Sequence, residues 1–241
     1  MRRSPEYPSP LRWTPEEVHV WRVPLDCAPD AVAQLRCLLD DDELERACRF
    51  HFERDRDRFT VGRARLRMLL ARYLGSAAKE VNFRYGPAGK PELPPPGPPF
   101  SVSHSAGLML IAVGGPGRLG VDIEKIRPRA QPDSFTGFFA PAEEASIQSL
   151  PADLRERAFF TCWTRKEAWI KGRGDGLSYG LDRFEVSVEP HLPAALLRVA
   201  DHPEEVSRWE LRSLDPGPGY TGTLAVEGHG WDWRCLDWEE R

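Results

Sequence analysis

Lysine is scarce in this chain of 241 residues: only Lys79, Lys90, Lys125, Lys166 and Lys171 occur, and arginine supplies the other cationic side chains. A chain that leans so far towards arginine has reason to keep lysine where a compact ammonium serves better than a planar guanidinium. Cysteine is also sparse. Cys27, Cys37, Cys48, Cys162 and Cys235 are odd in number, scattered and without CxxC spacing, so neither a zinc pattern nor a disulfide framework is read, which fits a reducing compartment. No apolar run is long enough to span a bilayer, and Arg2–Arg3 is followed by prolines rather than an apolar stretch. No membrane span and no signal peptide are therefore expected, and the expected location is cytoplasmic. The net charge of −4 lacks the basic excess of a general nucleic-acid binder, so no nucleic-acid partner is expected. The GxSxG of a nucleophile elbow is missing, which argues against a serine hydrolase.

What is present is enough apolar surface for a packed core: 41% of residues are hydrophobic and 10% aromatic, so disorder is not the default. The length admits one body or two lobes of about 110 residues. The stretch Arg46–Arg72 is rich in arginine, with Glu53, Asp55 and Asp57 inside it. It fits an anionic small ligand or acidic partner as well as it fits a solvated helix face.

Alternation predicts a strand at Val18–Val23, and a helix is read over Asp30–Phe50. Arg56–Leu74 is the clearest amphipathic helix, with Phe59, Gly62, Leu66, Leu69 and Tyr73 at helical spacing and Gly75 as its stop. A short strand at Val81–Tyr85 and a loop over Gly86–Pro99 follow. Strands are predicted at Phe100–Ser103, Leu108–Val113 and Leu119–Glu124, then helices at Pro141–Leu150 and Leu154–Lys171. Strands at Phe184–Glu189, Arg208–Ser213, Tyr220–Val226 and Trp231–Cys235 close the chain, the last with Trp231, Trp233 and Cys235 on one face. Each half has a long helix carrying a Phe-Thr pair, Phe59–Thr60 and Phe160–Thr161, an internal echo that places a lobe boundary near Gly114–Gly117.

Asp122 and Glu124 are two apart on a strand, so they share a side. Such a pair repels unless a positive charge is near, and a hard divalent cation is one answer; a solvent-facing sheet edge would carry the same pair. Phe159–Lys171 is apolar on nearly every side yet carries Arg165, Lys166, Glu167 and Lys171, and buried charges need partners. Trp163, Glu167 and Lys171 fall on one stripe at i, i+4, i+8. An intrahelical salt bridge would explain the last two; on so apolar a helix a site is the preferred reading. Ser103, His104 and Ser105 form a cluster of hydrogen-bonding groups suited to a phosphate. Lys90 sits between Gly89 and Pro91, a weak signal alone.

Together these segments resemble the surfactin-type phosphopantetheinyl transferases: GKPEL at Gly89–Leu93, FSVSHS at Phe100–Ser105, LGVDIEKIRP at Leu119–Pro128 and FFTCWTRKEAWIKGRGDGLSYGL at Phe159–Leu181. The resemblance implies an α+β fold of two similar, pseudo-twofold-related lobes, 1–116 and 117–241, the second carrying the carboxylates, with the active site in the cleft between them. It implies Mg2+ held by Asp122, Glu124 and Glu167, and coenzyme A as co-substrate held by Arg46, Arg58, Lys90, Ser103, His104 and Lys171. It makes Glu167 and Lys171 the catalytic pair, sets Trp163 and Lys166 beside the site, and makes Glu43 a departure where the family often has a lysine. The implied reaction moves 4′-phosphopantetheine onto a serine of an apo acyl or peptidyl carrier protein, in fatty-acid, polyketide or nonribosomal-peptide synthesis, with release of adenosine 3′,5′-bisphosphate. One chain would supply a whole site, so a monomer suffices. The rivals are a coenzyme A-binding module without catalysis, which could spare the carboxylates, and a metal-dependent pyrophosphohydrolase with water as acceptor.

Overall fold

The computed structural model describes residues 11–127 and 137–239. Its elements run in chain order as β1 (Glu17–Pro24), α1 (Pro29–Arg36), α2 (Asp41–Cys48), α3 (Glu53–Leu74), β2 (Arg84–Tyr85), β3 (Pro91–Glu92), β4 (Phe100–Ser105), β5 (Leu108–Gly114), β6 (Leu119–Lys125), α4 (Pro141–Ser149), α5 (Ala152–Arg173), β7 (Phe184–Val186), β8 (Leu196–Val199), β9 (Trp209–Leu214), β10 (Tyr220–Glu227) and β11 (Asp232–Asp237). The fold is α+β. One sheet has the order β11-β1-β5-β4 and another β6-β10-β9, with two small hairpins, β2-β3 and β7-β8.

Each main sheet carries one long helix. The apolar face of α3, with Val61, Leu66, Leu69, Leu70 and Tyr73, packs on Trp21, Val23 and Ile111 of the first sheet. Helix α5 packs Ala168, Trp169 and Ile170 against Trp209, Leu211 and Ala225 of the second. Both helices end on a left-handed glycine whose N–H returns to the last turn: Gly75, φ 65°, onto Ala71 O, and Gly174, φ 84°, onto Ile170 O. Glycine takes that conformation without a Cβ penalty. A third cluster, including Val18, Val20, Leu110, Val121, Ile123 and Leu224, joins the two sheets.

A second likeness between the halves lies in buried ion pairs. Glu43 caps the backbone N–H of Asp40 at the start of α2 and accepts from Arg67 of α3 at 2.7 Å. Glu143 caps Ala140 at the start of α4 and pairs with Lys166 of α5 at 2.7 Å. The cations also reach a loop beyond their own helix: Arg67 donates to Val81 O, and Lys166 to Leu181 O. A glutamate at the third helical position of a short helix is thus tied to a cation on the long helix in each half.

Four expectations change. The helix read over Asp30–Phe50 is two, because Asp40 is an N-cap whose side chain accepts from Glu43 N–H while Glu43 returns to Asp40 N–H, a capping box that starts a new helix. The strand read over Val81–Tyr85 shrinks to Arg84–Tyr85, paired with Pro91–Glu92. Leu196–Val199 was missed; it pairs with β7. The final strand, read as Trp231–Cys235, runs Asp232–Asp237 parallel to β1 as an edge of the first sheet; Trp231, just before it, is buried and Cys235 is exposed.

Candidate active site

Helix α5 touches β6 backbone to backbone. A Cβ on Gly120 would stand 2.0 Å from the Ala168 carbonyl oxygen and 2.4 Å from Gly172 N. Only a residue without a side chain permits this approach, and it brings the polar stripe of α5 beside the carboxylates of β6. Strand β4 reaches β6 from the other sheet through side chains. Ser101, Ser103 and Ser105 alternate along β4 and share one face. Ser101 Oγ accepts from Val121 N–H at 3.1 Å and Ser105 Oγ from Lys125 N–H at 3.0 Å. Ser103 Oγ donates to Asp122 Oδ1 at 2.7 Å, and Ser105 Oγ donates to Glu124 Oε2 at 2.6 Å.

Lys171 closes this arrangement, donating to Asp122 Oδ1 at 2.6 Å and to Ser103 Oγ at 2.8 Å. Glu167, one turn earlier, is buried. Burial pushes its pKa up to about 7, the charges of Asp122 and Glu124 add to the rise, and Lys171 opposes it. Glu124 is also raised, chiefly by burial, with Ser105 acting against the shift and Asp122 with it.

Two adjoining cavities flank these groups. The larger, about 660 Å3, is lined by Arg46, Arg58, His104, Ser105 and Glu124 among others. The smaller, about 340 Å3, is lined by Lys90, Ser101, Glu167, Ile170 and Lys171 among others, and both share Gly89, Pro91 and Val102. The cations in and around them differ in how they are held. Arg58 forms a two-pronged pair with Asp26, Nε to Oδ1 at 2.7 Å and Nη2 to Oδ2 at 3.0 Å. Arg46 lies over the Phe59 ring, 5.4 Å from its centroid. Lys90 donates to Leu119 O at 2.9 Å, and burial lowers its pKa to about 8. The His104 ring reaches solvent, yet the cavity strips enough water from it to lower its pKa, and the charges of Lys171 and Arg46 act the same way.

The metal question has two sides. Among the described residues no three His, Cys, Asp or Glu side chains are grouped to hold an ion as they stand; Asp122 is engaged by Lys171 and Ser103, and Glu124 by Ser105. The donors nonetheless fit a hard cation in kind. Asp122 Oδ2 and Glu167 Oε1 are buried oxygens with no hydrogen-bond partner, and such atoms are costly unless something positive meets them.

The structure thus unites Asp122, Ser103 and Lys171 by direct bonds, sets Glu167 and Lys90 on one cavity, and sets Arg46, Arg58, His104 and Glu124 on its neighbour. It moves Lys166 elsewhere: fully buried, that ammonium is spent on Glu143 and on Leu181 O. It also explains Glu43, a structural anion for Arg67 and Arg63. Sequence reading overlooked Ser101 and grouped Ser105 with Ser103 and His104 for a phosphate, missing that the three serines tie β4 to β6, although serine at every second position was the available signal. Asp26 gave no signal, being distant in sequence from Arg58.

Comparison with known proteins decides the family. The 4′-phosphopantetheinyl transferase superfamily profile matches residues 118–225, and a profile described as 4′-phosphopantetheinyl transferase, N-terminal, matches 25–114. The 4′-phosphopantetheinyl transferase HetI of Nostoc sp. is 38% identical over 229 residues, which is 93% of this chain and 93% of that protein. The chain belongs to this family. The 4′-phosphopantetheinyl transferase psf-1 of Bacillus pumilus is 32% identical, covering 77% of this chain and 78% of the relative. Sfp of Bacillus subtilis is 27% identical, covering 76% and 79%. The chain is accordingly a phosphopantetheinyl transferase of the surfactin type, an enzyme that transfers the phosphopantetheine group. No described helix is long and apolar enough to cross a membrane.

Proposed function

We propose that this transferase takes 4′-phosphopantetheine from coenzyme A and delivers it to a serine hydroxyl of an apo carrier protein, with Mg2+ and with release of adenosine 3′,5′-bisphosphate. The observation that carries the reading is the Lys171–Asp122 pair with Glu167 within its electrostatic reach, one oxygen of each carboxylate lacking a partner, beside a cavity walled by Arg46, Arg58 and His104. A nucleotide with phosphates suits cationic walls, and the uncharged serine needs a base.

In this reading Arg46, Arg58, Lys90, Ser103 and His104 bind and orient coenzyme A, and Asp122, Glu124 and Glu167 hold Mg2+. When bound, the ion supplies positive charge against the phosphate oxygens. Glu167 accepts the proton of the carrier serine, directly or through water, as the serine oxygen bonds to the β-phosphorus and the phosphorus–oxygen bond to the nucleotide breaks. Lys171 offsets the charge on the β-phosphate. The electron pair of the broken bond leaves with adenosine 3′,5′-bisphosphate. Two lobes, 1–116 and 117–241, would form the cleft, the final strand returning to the first sheet, and one cytoplasmic chain would suffice.

Mass spectrometry of apo acyl and peptidyl carrier proteins after incubation with coenzyme A and Mg2+ tests this. One phosphopantetheine gained on serine is expected. No gain on any carrier, or hydrolysis of coenzyme A with no carrier present, would overturn it.

A further inference from the structure

Arg58 does not stand free in the larger cavity. Its Nε and Nη2 are both taken by Asp26, at 2.7 and 3.0 Å. The pairing is mutual: the hydrogen bond from Arg58 leads the causes that lower the Asp26 pKa, and that from Asp26 leads those that raise Arg58. The Asp26 side chain is 65% exposed, and the backbone beside it is held in place. Leu25, its chain neighbour, donates its N–H to Gly107 O at 2.8 Å, which ties this stretch to the β4–β5 turn. A Cβ on Gly107 would lie 2.5 Å from Asp26 Oδ2 and 3.4 Å from Arg58 Nη2, so the turn leaves room for this ion pair and no more. Ala106 of the same turn adopts φ 51°, unusual for a residue with a side chain, and lines the same cavity as Arg58.

We infer that Asp26 is a positioning residue for phosphate recognition: it holds one edge of the Arg58 guanidinium so that the other edge meets a phosphate of coenzyme A. This rests on the assignment of the cavity to coenzyme A given above. A guanidinium has two usable edges. The Nε–Nη2 edge is filled by Asp26, which leaves Nη1 and the second Nη2 hydrogen for an anion. A long side chain fixed before binding loses less freedom on binding. The competing possibility, that Asp26 merely blocks the arginine until a phosphate displaces it, predicts the opposite sign for the same variant.

Calorimetry of coenzyme A binding to the full chain separates these outcomes, with steady-state kinetics beside it. Asp26→Asn should weaken coenzyme A binding about three- to tenfold and raise KM with kcat little changed, while the melting temperature holds. Asp26→Glu should restore part of the affinity. In an Arg58→Ala background Asp26→Asn should have no further effect, since it acts through that arginine. Gly107→Ala, which pushes against the Asp26 carboxylate, should mimic Asp26→Asn. Unchanged or tighter binding by Asp26→Asn, or an equal loss with and without Arg58, overturns the positioning role alone. Failure of the wild-type protein to bind coenzyme A overturns the cavity assignment itself.

Discussion

Lys171 of α5 and Asp122 of β6 meet at 2.6 Å, with the lysine side chain 30% and the aspartate side chain 4% exposed. The pair fastens the long helix to the strand that carries the carboxylates. Removing the cation leaves Asp122 buried with Ser103 as its remaining partner. Lys171→Met should therefore cost about 1–3 kcal/mol of stability, measured as a shift in denaturation midpoint. Combined with Asp122→Asn, the loss should be smaller than the sum of the single losses, because both cut one contact. Strict additivity would show that the contact contributes nothing.

Lys90 should give coenzyme A binding a pH dependence. Burial lowers its pKa to about 8 from an ordinary 10.5. Only the ammonium form attracts a phosphate, and its share in the free protein falls as pH rises through about 8. Affinity should fall above that pH, by at most about tenfold per unit, the limit for one proton taken up per binding event. Lys90→Arg, charged throughout, should flatten the profile. The stability of the ligand-free protein runs the other way. The folded form binds fewer protons than the unfolded one between about 8 and 10.5, so the Lys90 contribution to stability rises with pH across that window. Parallel calorimetric profiles for wild type and Lys90→Arg would exclude Lys90 from phosphate binding.

Lys166 and Glu143 should matter for folding and not for coenzyme A. Both are buried, at 0% and 3%, and their pair carries the start of α4 and the loop beyond α5. Glu143→Gln or Lys166→Met strands one buried charge and should cost about 3–5 kcal/mol. The protein that remains folded in the cold should bind coenzyme A with wild-type affinity. A Lys166→Met variant of normal stability and weakened binding would return this lysine to the site.

Lys166 also marks how far the sequence could be read. The stripe logic of α5 correctly found a buried, charged helix, and short apolar runs bounded by turn residues found β4, β5 and β6, strands that are buried along most of their length. Which face of α5 turns towards β6 depends on Gly120, a residue that reads as a minor flaw in a strand until the helix is seen lying on it. The capping box at Asp40 and Glu43 was visible, yet an acidic run inside a helical pattern hid the break. Pairing of β11 with β1 and of Asp26 with Arg58 is set by chain topology over long separations, and no local signal carries it. The faint Phe-Thr echo proved less telling than the matched ion pairs Glu43–Arg67 and Glu143–Lys166, which differ in cation and so escaped a comparison of letters.

Glu167 bears the most direct test of the chemistry. It is 8% exposed, one of its oxygens is buried without a partner, and burial beside Asp122 holds its pKa near 7. A carboxylate in that state suits a base or an ion ligand, and Gln serves as neither. Glu167→Gln should lower turnover by about 10²–10⁴-fold, the usual worth of a general base. The fold should survive, since the amide fills nearly the same space and relieves repulsion from Asp122 and Glu124. In ligand-free protein, stability near neutral pH should be equal to or above wild type, because the raised folded-state pKa means that ionising Glu167 costs stability between about pH 4.5 and 7. Excess Mg2+ should restore only that part of the loss that comes from weaker ion binding, and the remainder should persist at saturation. Turnover and thermal unfolding measured on the same preparation decide the matter. A folded Glu167→Gln enzyme with near-normal turnover would remove this glutamate from the reaction and leave Asp122 and Glu124 as the carboxylates to test next.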